Sequence, residues 1–351
     1  MNIYCFGISH HTANIEVRER FAIPDSALAD SLTRLAKIRN VDEGVLLSTC
    51  NRTEFYIVSP DAQLTVEPLF HDFYGLLEIT EFQHLFRLAA VPTVRHLFRV
   101  ASGLESMVIG ETEIFGQVKR AYEAAARSGT TGRILNRLFQ KAFQVGKHVR
   151  SSTGITRGRV SVGSVAVDLA EQIFGNLAGC KIMILGAGET SERTAKSFQT
   201  LGAKQLFVSN RSYERAAALA AAMGGRAIRY DDWEKEFRDL DILVSSTAAP
   251  HAIVTRAKLE PILRTRRDRP LFIIDLAMPR DVEPAVHDLD GVFVYDLDSL
   301  QAIADRTLEA RRKELDACDG LIEKHVRDFQ MWLDRGAEVT VLPAATEHPR
   351  T

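Results

Sequence analysis

The sequence is poor in cysteine and has no long uninterrupted apolar run. Its 351 residues include four cysteines (Cys5, Cys50, Cys180 and Cys318), which lie far apart and form no CxxC or Cys/His spacing. This scarcity argues against zinc and disulfides, and it predicts no bound metal and a reducing compartment. The chain has no run of about 18 apolar residues and no N-terminal segment with a basic start and an apolar core. We therefore expect no membrane span, no signal peptide and a cytoplasmic location.

The chain also lacks a dominant charge. It carries 44 Lys and Arg against 46 Asp and Glu, a net charge of −2, so overall charge predicts no nucleic-acid partner. Residues 124–167 nevertheless contain no acidic residue. The basic residues of this segment are Arg127, Arg133, Arg137, Lys141, Lys147, Arg150, Arg157 and Arg159. The segment favours a polyphosphate partner, RNA being the natural candidate, and the alternative is a solvated basic helix face.

Apolar periodicity divides the chain into two parts. The first part has predicted strands at 3–9, 44–50 and 54–59, a helix over 25–39 and helices through most of 92–150. After a hinge at 151–160, continuous apolar strands alternate with helices, which predicts a parallel doubly wound sheet. Those strands are predicted at 181–188, 205–211, 241–247, 271–277 and 292–298. One long helix is expected over 300–332, with a disordered tail over 336–351.

The stretch LLSTCNRTEFY (46–56) brings a thiol to a polar rim. Cys50 follows an apolar strand, and Arg52 stands two residues on. A neighbouring cation lowers a thiol's pKa from about 8.5 and favours the reactive thiolate, so the pattern suits a cysteine nucleophile. The alternative is that Cys50 is a small buried hydrophobe, as most free cysteines are.

GAGETSER (186–193) joins an apolar strand to a helix, the context that a dinucleotide-binding turn needs. Gly186 permits the tight turn and Gly188 lets the backbone approach a pyrophosphate, whereas Ser191 replaces the third glycine of the usual fingerprint. The next strand ends in Ser-Asn-Arg-Ser, with Arg211 and hydroxyls in place of the usual acid. This favours NADP(H) over NAD, and the alternative for Arg211 is a solvated strand-end charge.

GLESMVIGETEIFGQ (103–117) gathers Ser106, Glu111, Glu113 and Gln117 around one glycine-rich turn, and His96 lies a few helical turns upstream. These residue types can bind a polar substrate and move protons. Their alternatives are a structural histidine and exposed charges at the start of a helix.

Taken together, five segments resemble glutamyl-tRNA reductase in order and spacing from near residue 1 to about residue 333. They are STCNRTE, HLFRVASGLESMVIGETEIFGQVKRAY, GAGET, SNRSYERA and DLAMPRDVEP. The resemblance implies NADPH-dependent reduction of glutamyl-tRNA to glutamate-1-semialdehyde, the first step of tetrapyrrole synthesis. The competing interpretations are a thiol-dependent NADP reductase of another activated acyl group, such as an acyl-CoA, and a non-enzymatic regulator that binds tRNA or the next enzyme.

The resemblance also implies roles for individual residues. Cys50 matches the nucleophile and His96 a histidine important for activity. Arg52 is expected to bind the substrate's γ-carboxylate and Glu111 its ammonium group. The implied substrate-binding residues are Thr49, Asn51, Arg52, Ser106, Glu111, Thr112, Glu113 and Gln117, although family members often carry glutamine where this chain has Glu113. The implied cofactor-binding residues are Gly186, Ala187, Gly188, Glu189, Thr190, Ser191, Asn210 and Arg211.

The fold implied is α/β: an α+β catalytic domain (1–150), the hinge, a Rossmann NADPH-binding domain (161–295) and a spinal helix (296–335). The two domains are expected to swing together. Family members normally continue into a C-terminal dimerisation domain, which this sequence is expected to lack. A homodimer would then use other surfaces, or the enzyme is a monomer, or its activity is impaired. A complex with glutamate-1-semialdehyde aminotransferase is expected because an α-amino aldehyde is unstable in water.

Overall fold

The computed structural model describes residues 2–75, 82–156, 161–266, 270–305 and 312–338. Parts of the predicted hinge, of the predicted long helix and of the predicted tail fall outside these described residues. No helix within the described ranges is both long and apolar enough to cross a bilayer.

Ten strands in the described residues form two sheets, ordered β2-β3-β1-β4 and β10-β9-β8-β5-β6-β7. The strands are β1 (Asn2–Ser9), β2 (Glu43–Ser48), β3 (Arg52–Ser59), β4 (Phe86–Ala89), β5 (Lys181–Leu185), β6 (Gln205–Ser209), β7 (Arg226–Ile228), β8 (Ile242–Ser245), β9 (Leu271–Asp275) and β10 (Val292–Tyr295). The α-helices are α1 (Ile15–Phe21), α2 (Leu28–Leu35), α3 (Val66–Tyr74), α4 (Val91–Ala101), α5 (Glu113–Arg127), α6 (Arg133–Ser152), α7 (Val162–Phe174), α8 (Glu189–Thr200), α9 (Tyr213–Ala222), α10 (Arg256–Leu263), α11 (Leu297–Asp305) and α12 (Arg312–Glu338). Short 3₁₀ segments occupy Asp25–Ala27, Leu177–Gly179, Tyr230–Arg238 and Pro284–Asp288.

The first sheet, with α1–α6, forms what we call the N-terminal unit. Its strands are antiparallel, and β1 lies between β3 and β4. Gly7 of β1 faces Glu54 of β3, and a Cβ at this glycine would come within 2.5 Å of the Thr53 carbonyl oxygen. The β2–β3 hairpin pairs Ser48 with Thr53, which leaves Cys50 in the turn at its tip. The sheet therefore carries the thiol to one edge of the unit.

The second sheet, with α7–α11, forms the parallel-sheet unit. All its strand pairs are parallel, and β5, β8 and β9 are apolar and almost wholly buried because helices cover both faces. Numbered within the sheet, the strand order is 3-2-1-4-5-6, the Rossmann order. The prediction of a parallel doubly wound sheet is confirmed. In such sheets ligands bind beyond the carboxyl ends of the strands, where the order reverses between β5 and β8.

Several local predictions were wrong in extent. The helix expected over 25–39 is a 3₁₀ turn followed by α2, which ends at Leu35. Helices α1 and α3 and strand β4, which are short, were not predicted. The amide side chain of Asn14 caps α1 by accepting a hydrogen bond from Val17 N at 3.2 Å, a start signal that periodicity over seven residues does not show. Helix α12 extends to Glu338, past the predicted end at 335.

Helix α12 packs on α4 and α6 of the N-terminal unit, and it covers part of the basic segment. The guanidinium groups of Arg133 and Arg137 lie 5.5 and 5.8 Å from the ring centroid of Trp332. Lys141 Nζ lies 3.8 Å from a carboxylate oxygen of Asp328. Part of the acid-free segment therefore contacts the chain's own helix, although Arg133 and Arg137, like Arg127, keep exposed surface.

Candidate active site

Cys50 lies at the tip of the β2–β3 hairpin, facing the parallel-sheet unit. Thr49 shapes this tip, because its hydroxyl accepts hydrogen bonds from the backbone N–H groups of Asn51 (3.1 Å) and Arg52 (3.2 Å). The thiol faces a cavity of about 30 Å³ between the two units. The N-terminal unit lines it with Cys50, Asn51, Glu111, Glu113 and Gln117, and the other side with Val162, Gly163, Thr190, Leu276 and Leu297. The structure thus brings the predicted thiol and part of the predicted nucleotide turn to one place.

The cation that acts on Cys50 is Arg18, which the sequence analysis missed. Its Nη1 donates hydrogen bonds to the Cys50 carbonyl oxygen (3.0 Å) and to Asn51 Oδ1 (3.4 Å). Burial raises the pKa of the Cys50 thiol to about 12, the carboxylate of Glu111 raises it as well, and Arg18 opposes both. The prediction that Arg52 lowers this pKa was wrong.

Arg52 instead forms a buried network with its own strand. Its Nη1 donates to Glu54 Oε1 at 2.7 Å, and its Nη2 bonds to the Glu105 carbonyl. The other Glu54 oxygen accepts from Tyr56 Oη at 2.6 Å. Residues 52, 54 and 56 alternate along β3, so their side chains share one face of the strand. That alternation is the sequence signal that could have found this network.

His96 joins the same network from α4. Its Nε2 lies 2.9 Å from Glu54 Oε1. Burial alone would raise the pKa of Glu54, but the charges of His96 and Arg52 hold it well below its ordinary value. Cys5 Sγ, a carboxylate oxygen of Glu54 and a ring nitrogen of His96 all lie within 4.8 Å of one another. The adjacent charge of Arg52 disfavours a metal cation among them. His96 thus contacts Glu54, and it is not among the residues that line the small cavity at Cys50.

The glycine-rich turn between α4 and α5 places two carboxylates beside the thiol. Burial raises the pKa of Glu111 to about 7, and the carboxylate of Glu113 also raises it. Glu113 bonds across the units to Arg193 Nη1 of α8 at 3.0 Å. The turn needs glycine at Gly110, whose φ is +87° and whose Cβ would meet the Ile155 carbonyl oxygen at 2.1 Å. Of the predicted substrate residues on this turn, Thr112 is exposed at the start of α5 and does not line the cavity.

The GAGETSER turn has the shape of a phosphate-binding loop. Gly186 has φ +108°, and a Cβ there would meet the Ser246 carbonyl oxygen at 2.3 Å. Gly188 precedes α8, and a Cβ there would meet no atom within 4 Å, so the backbone is open to a ligand at the helix N-terminus. Ser191 is fully buried beneath the turn, where the usual third glycine allows helix and strand to pack closely. Glu189 bonds to Arg193 of the same helix, and Ala187 packs at the edge of the apolar core.

A larger cavity of about 430 Å³ lies past the end of β6. It is lined by Asn210, Arg211, Ser212, Arg215, Tyr230, Thr247, Ala248 and Ala249. The two guanidinium groups and the polar groups beside them suit an adenosine carrying a 2′-phosphate. Arg215 was not predicted, although it follows Arg211 by four residues, in the first turn of α9.

Ion pairs hold the two units together around Cys50. Arg18 Nη2 lies 2.6 Å from Asp298 Oδ1, and Asp298 Oδ2 accepts from Ile15 N at 3.0 Å. Arg280 donates from its backbone N (2.7 Å) and Nε (3.0 Å) to Glu19 Oε1. The small cavity and these contacts describe a closed arrangement.

Comparisons with known proteins identify relatives of both parts of the chain. The family model for the glutamyl-tRNAGlu reductase N-terminal domain matches residues 6–153, and that for shikimate/quinate 5-dehydrogenase matches residues 168–303. The glutamyl-tRNA reductase of Akkermansia muciniphila is 45% identical over 331 residues, covering 94% of this chain and 97% of that protein. That of Trichlorobacter lovleyi is 41% identical, covering 95% of this chain and 77% of that protein. The solved glutamyl-tRNA reductase of Methanopyrus kandleri is 37% identical, with a TM-score of 0.53, covering 96% of this chain and 82% of that one.

Proposed function

The chain belongs to the glutamyl-tRNA reductase family of oxidoreductases, and we propose that it reduces glutamyl-tRNA to glutamate-1-semialdehyde with NADPH through a thioester on Cys50. The observation that carries this proposal is the cavity where Cys50 meets Thr190 of the nucleotide turn and the carboxylates of Glu111 and Glu113. A thiol and a nucleotide turn at one interface suit acyl transfer followed by reduction.

In the first half-reaction the Cys50 thiolate attacks the acyl carbon of the glutamyl ester. A C–S bond forms, the C–O bond to the ribose breaks, and the released tRNA hydroxyl takes a proton. When bound, NADPH supplies the hydride that reduces the acyl carbon. The C–S bond then breaks, so the aldehyde leaves and the thiolate returns. His96 is proposed to handle a proton, with Glu54 as the positioning residue that fixes its ring.

Recognition of the glutamyl group is assigned to charges beside the thiol. The ionised carboxylate of Glu111 would bind the substrate's ammonium group. The ammonium charge would then offset the Glu111 charge, which is one of the causes that raise the pKa of Cys50. Arg52 would bind the γ-carboxylate through its Nε, a buried donor with no partner among the described residues. Asn51, Ser106 and Gln117 supply neutral hydrogen-bonding groups.

The described residues fit NADPH. Gly186 and Gly188 leave the turn open to a pyrophosphate, and Arg211 and Arg215 line the cavity that would hold the 2′-phosphate. The dehydrogenase-type match supports a nicotinamide dinucleotide, and the choice of NADPH rests on the two arginines. The cavity at Cys50 has room for only one or two water molecules, so binding requires the two units to separate and close again.

The test separates the two half-reactions. Glutamyl-tRNA labelled in the glutamyl group is mixed with the protein without NADPH, and the tryptic peptide bearing Cys50 is examined for label. We expect a Cys50-linked glutamyl group that is released as the semialdehyde when NADPH is added. Cys50→Ser should fold and bind NADPH but take no label.

Two results would contradict the proposal. Reduction by Cys50→Ser at the wild-type rate would exclude the thioester route. Label transfer from glutamyl-CoA but not from glutamyl-tRNA would favour an acyl-CoA reductase instead.

A further inference from the structure

A second groove lies on the N-terminal unit, next to the thiol and adjoining the interface. Its volume is about 390 Å³, within the range of about 300–1,000 Å³ typical of small-ligand sites. It runs between the start of α2, the edge strand β2 and the outer face of α5. The lining residues are Ile23, Asp25, Leu28, Leu46, Ser48, Gln117, Arg120, Ala121, Glu123, Ala124 and Arg127. We refer to it as the α5 groove.

We propose that the α5 groove binds the 3′-terminal adenosine of the aminoacyl-tRNA while its glutamyl group reacts at Cys50. This inference rests on the function proposed above and names the place of the leaving group. It concerns residues that the family resemblance does not assign, Gln117 excepted.

Continuity with the thiol supports this location. Gln117 lines both the α5 groove and the cavity at Cys50. Ser48 lines the groove and stands two residues before Cys50, a separation that the backbone can span by at most about 7 Å. The ribose oxygen is bonded to the acyl carbon that Cys50 attacks, so the terminal nucleoside must lie within a similar distance of the thiol.

The opposite side of the thiol is occupied by the parallel-sheet unit in the closed arrangement. Val162, Thr190 and Leu276 of the parallel-sheet unit line the cavity there, and that side is where the nicotinamide must arrive. The cofactor and the tRNA would thus approach Cys50 from opposite sides.

The chemistry of the groove suits a nucleoside followed by phosphates. Ile23, Leu28 and Ala124 are partly exposed and give apolar walls against which a base can stack. Arg127 is exposed at the rim and can pair with a phosphate, as can Arg120, which lies 3.5 Å from Glu189 in the closed arrangement. The carboxylates of Asp25 and Glu123 are acceptors for the hydroxyl and amino groups of adenosine.

The experiment compares two acyl donors. One is glutamyl-tRNA, and the other is an α-glutamyl thioester of N-acetylcysteamine, which can pass its acyl group to Cys50 but has no nucleoside. Ala124→Trp fills the groove, and Arg127→Glu reverses a charge at its rim. The matched controls are Ala126→Trp, at an exposed position on the same helix, and Lys204→Glu, at an exposed position before β6 and outside the basic segment.

We expect Ala124→Trp and Arg127→Glu to raise KM for glutamyl-tRNA at least tenfold. With the thioester both should stay within twofold of wild type, and the controls should do so with both donors. Arg127→Glu, which replaces an exposed side chain, should also flatten the salt dependence of KM for tRNA.

Wild-type KM for glutamyl-tRNA in both groove variants would overturn the inference. Equal losses with the two donors would overturn it too, because they would place the effect at Cys50 itself. A wild-type protein that uses neither donor would instead contradict the proposed function.

Discussion

Replacing Arg18 by alanine is expected to raise the pKa of Cys50 further and to slow alkylation of its thiol about tenfold at neutral pH. Arg18 is buried, and its Nη1 donates to the Cys50 carbonyl oxygen at 3.0 Å. The thiol of a cysteine lies a few ångströms from its own carbonyl oxygen, so a separation of about 6 Å between the guanidinium charge and Sγ is assumed for an order-of-magnitude calculation. The variant therefore removes the nearest identified cation from a buried thiol.

The size of the effect follows from Coulomb's law. Two unit charges about 6 Å apart interact by about 3 kcal/mol at an effective dielectric constant of about 20. This energy corresponds to about two pKa units. The thiolate fraction then falls about 100-fold, while the nucleophilicity of the remaining thiolate rises about tenfold because its pKa is higher. The net loss in alkylation rate is about tenfold.

The assay follows iodoacetamide labelling of the Cys50 peptide by mass spectrometry between pH 7 and 10. Arg18→Lys keeps the charge and should recover most of the rate. Arg280→Ala is the matched control, because it breaks the contact with Glu19 between the same two units and leaves the charge at Cys50 in place. If Arg18→Ala and Arg280→Ala alter the rate equally, or if Arg18→Ala leaves the pH profile unmoved, the electrostatic reasoning is refuted.

Three further outcomes are expected. Burial raises the pKa of Glu111 to about 7, so its carboxylate is neutral below that pH. Formation of the Cys50 thiolate makes kcat/KM for glutamyl-tRNA rise with pH throughout, and ionisation of Glu111 should make the rise steeper below pH 7 than above it. Glu111→Gln should remove this change of slope, and a variant that keeps it would exclude Glu111 as the ammonium partner. The double variant Arg211→Ala/Arg215→Ala should weaken NADPH binding at least tenfold in a fluorescence titration and leave the affinity for NADH nearly unchanged. Equal losses of affinity for both cofactors would contradict a 2′-phosphate site. Glu54→Gln should lower the free energy of unfolding in urea by about 3–5 kcal/mol at pH 7, because it leaves the buried Arg52 without its counter-charge. The pKa of Glu54 is lowered in the folded protein, so this stabilisation should be lost progressively as pH falls below about 4. A difference in free energy between wild type and variant that stays constant down to pH 3 would exclude an ionised Glu54.

The sequence predicted the parallel-sheet unit well because its signals are local. A strand buried on both faces reads as a continuous apolar run, and the turn at Gly186 lies between one such run and a helix. The same holds for α5 and α6, which are long enough for their apolar stripes to repeat. Such features depend on residues a few positions apart, so one sequence suffices to find them.

The environment of Cys50 could not be predicted in this way. Arg52 was assigned to the thiol because it is near in sequence, but the strand turns its side chain toward Glu54. Arg18, which does contact the Cys50 backbone, comes from a helix 32 residues away and is held by Asp298, 280 residues farther along the chain. Neither separation leaves a trace in local periodicity.

The basic segment fails as a simple signal for a related reason. Arg133 and Arg137 lie over Trp332 of α12, so part of a charge run that looks solvated serves packing within the chain. Charge composition counts these residues but does not say which face of a helix they occupy. Arg127 lies at the end of α5, where it lines the α5 groove.

The thiol's reactivity is set by opposing effects that a substrate can rebalance. In the closed arrangement burial and the carboxylate of Glu111 keep Cys50 protonated, and Arg18 alone does not offset them. An ammonium group bound at Glu111 would cancel that carboxylate's effect, so the thiolate costs less to form when the glutamyl group is in place. A thiol that is protonated while the site is empty also resists oxidation, which proceeds through the thiolate. The same burial that makes Cys50 look like a structural cysteine thus makes its activation depend on the substrate.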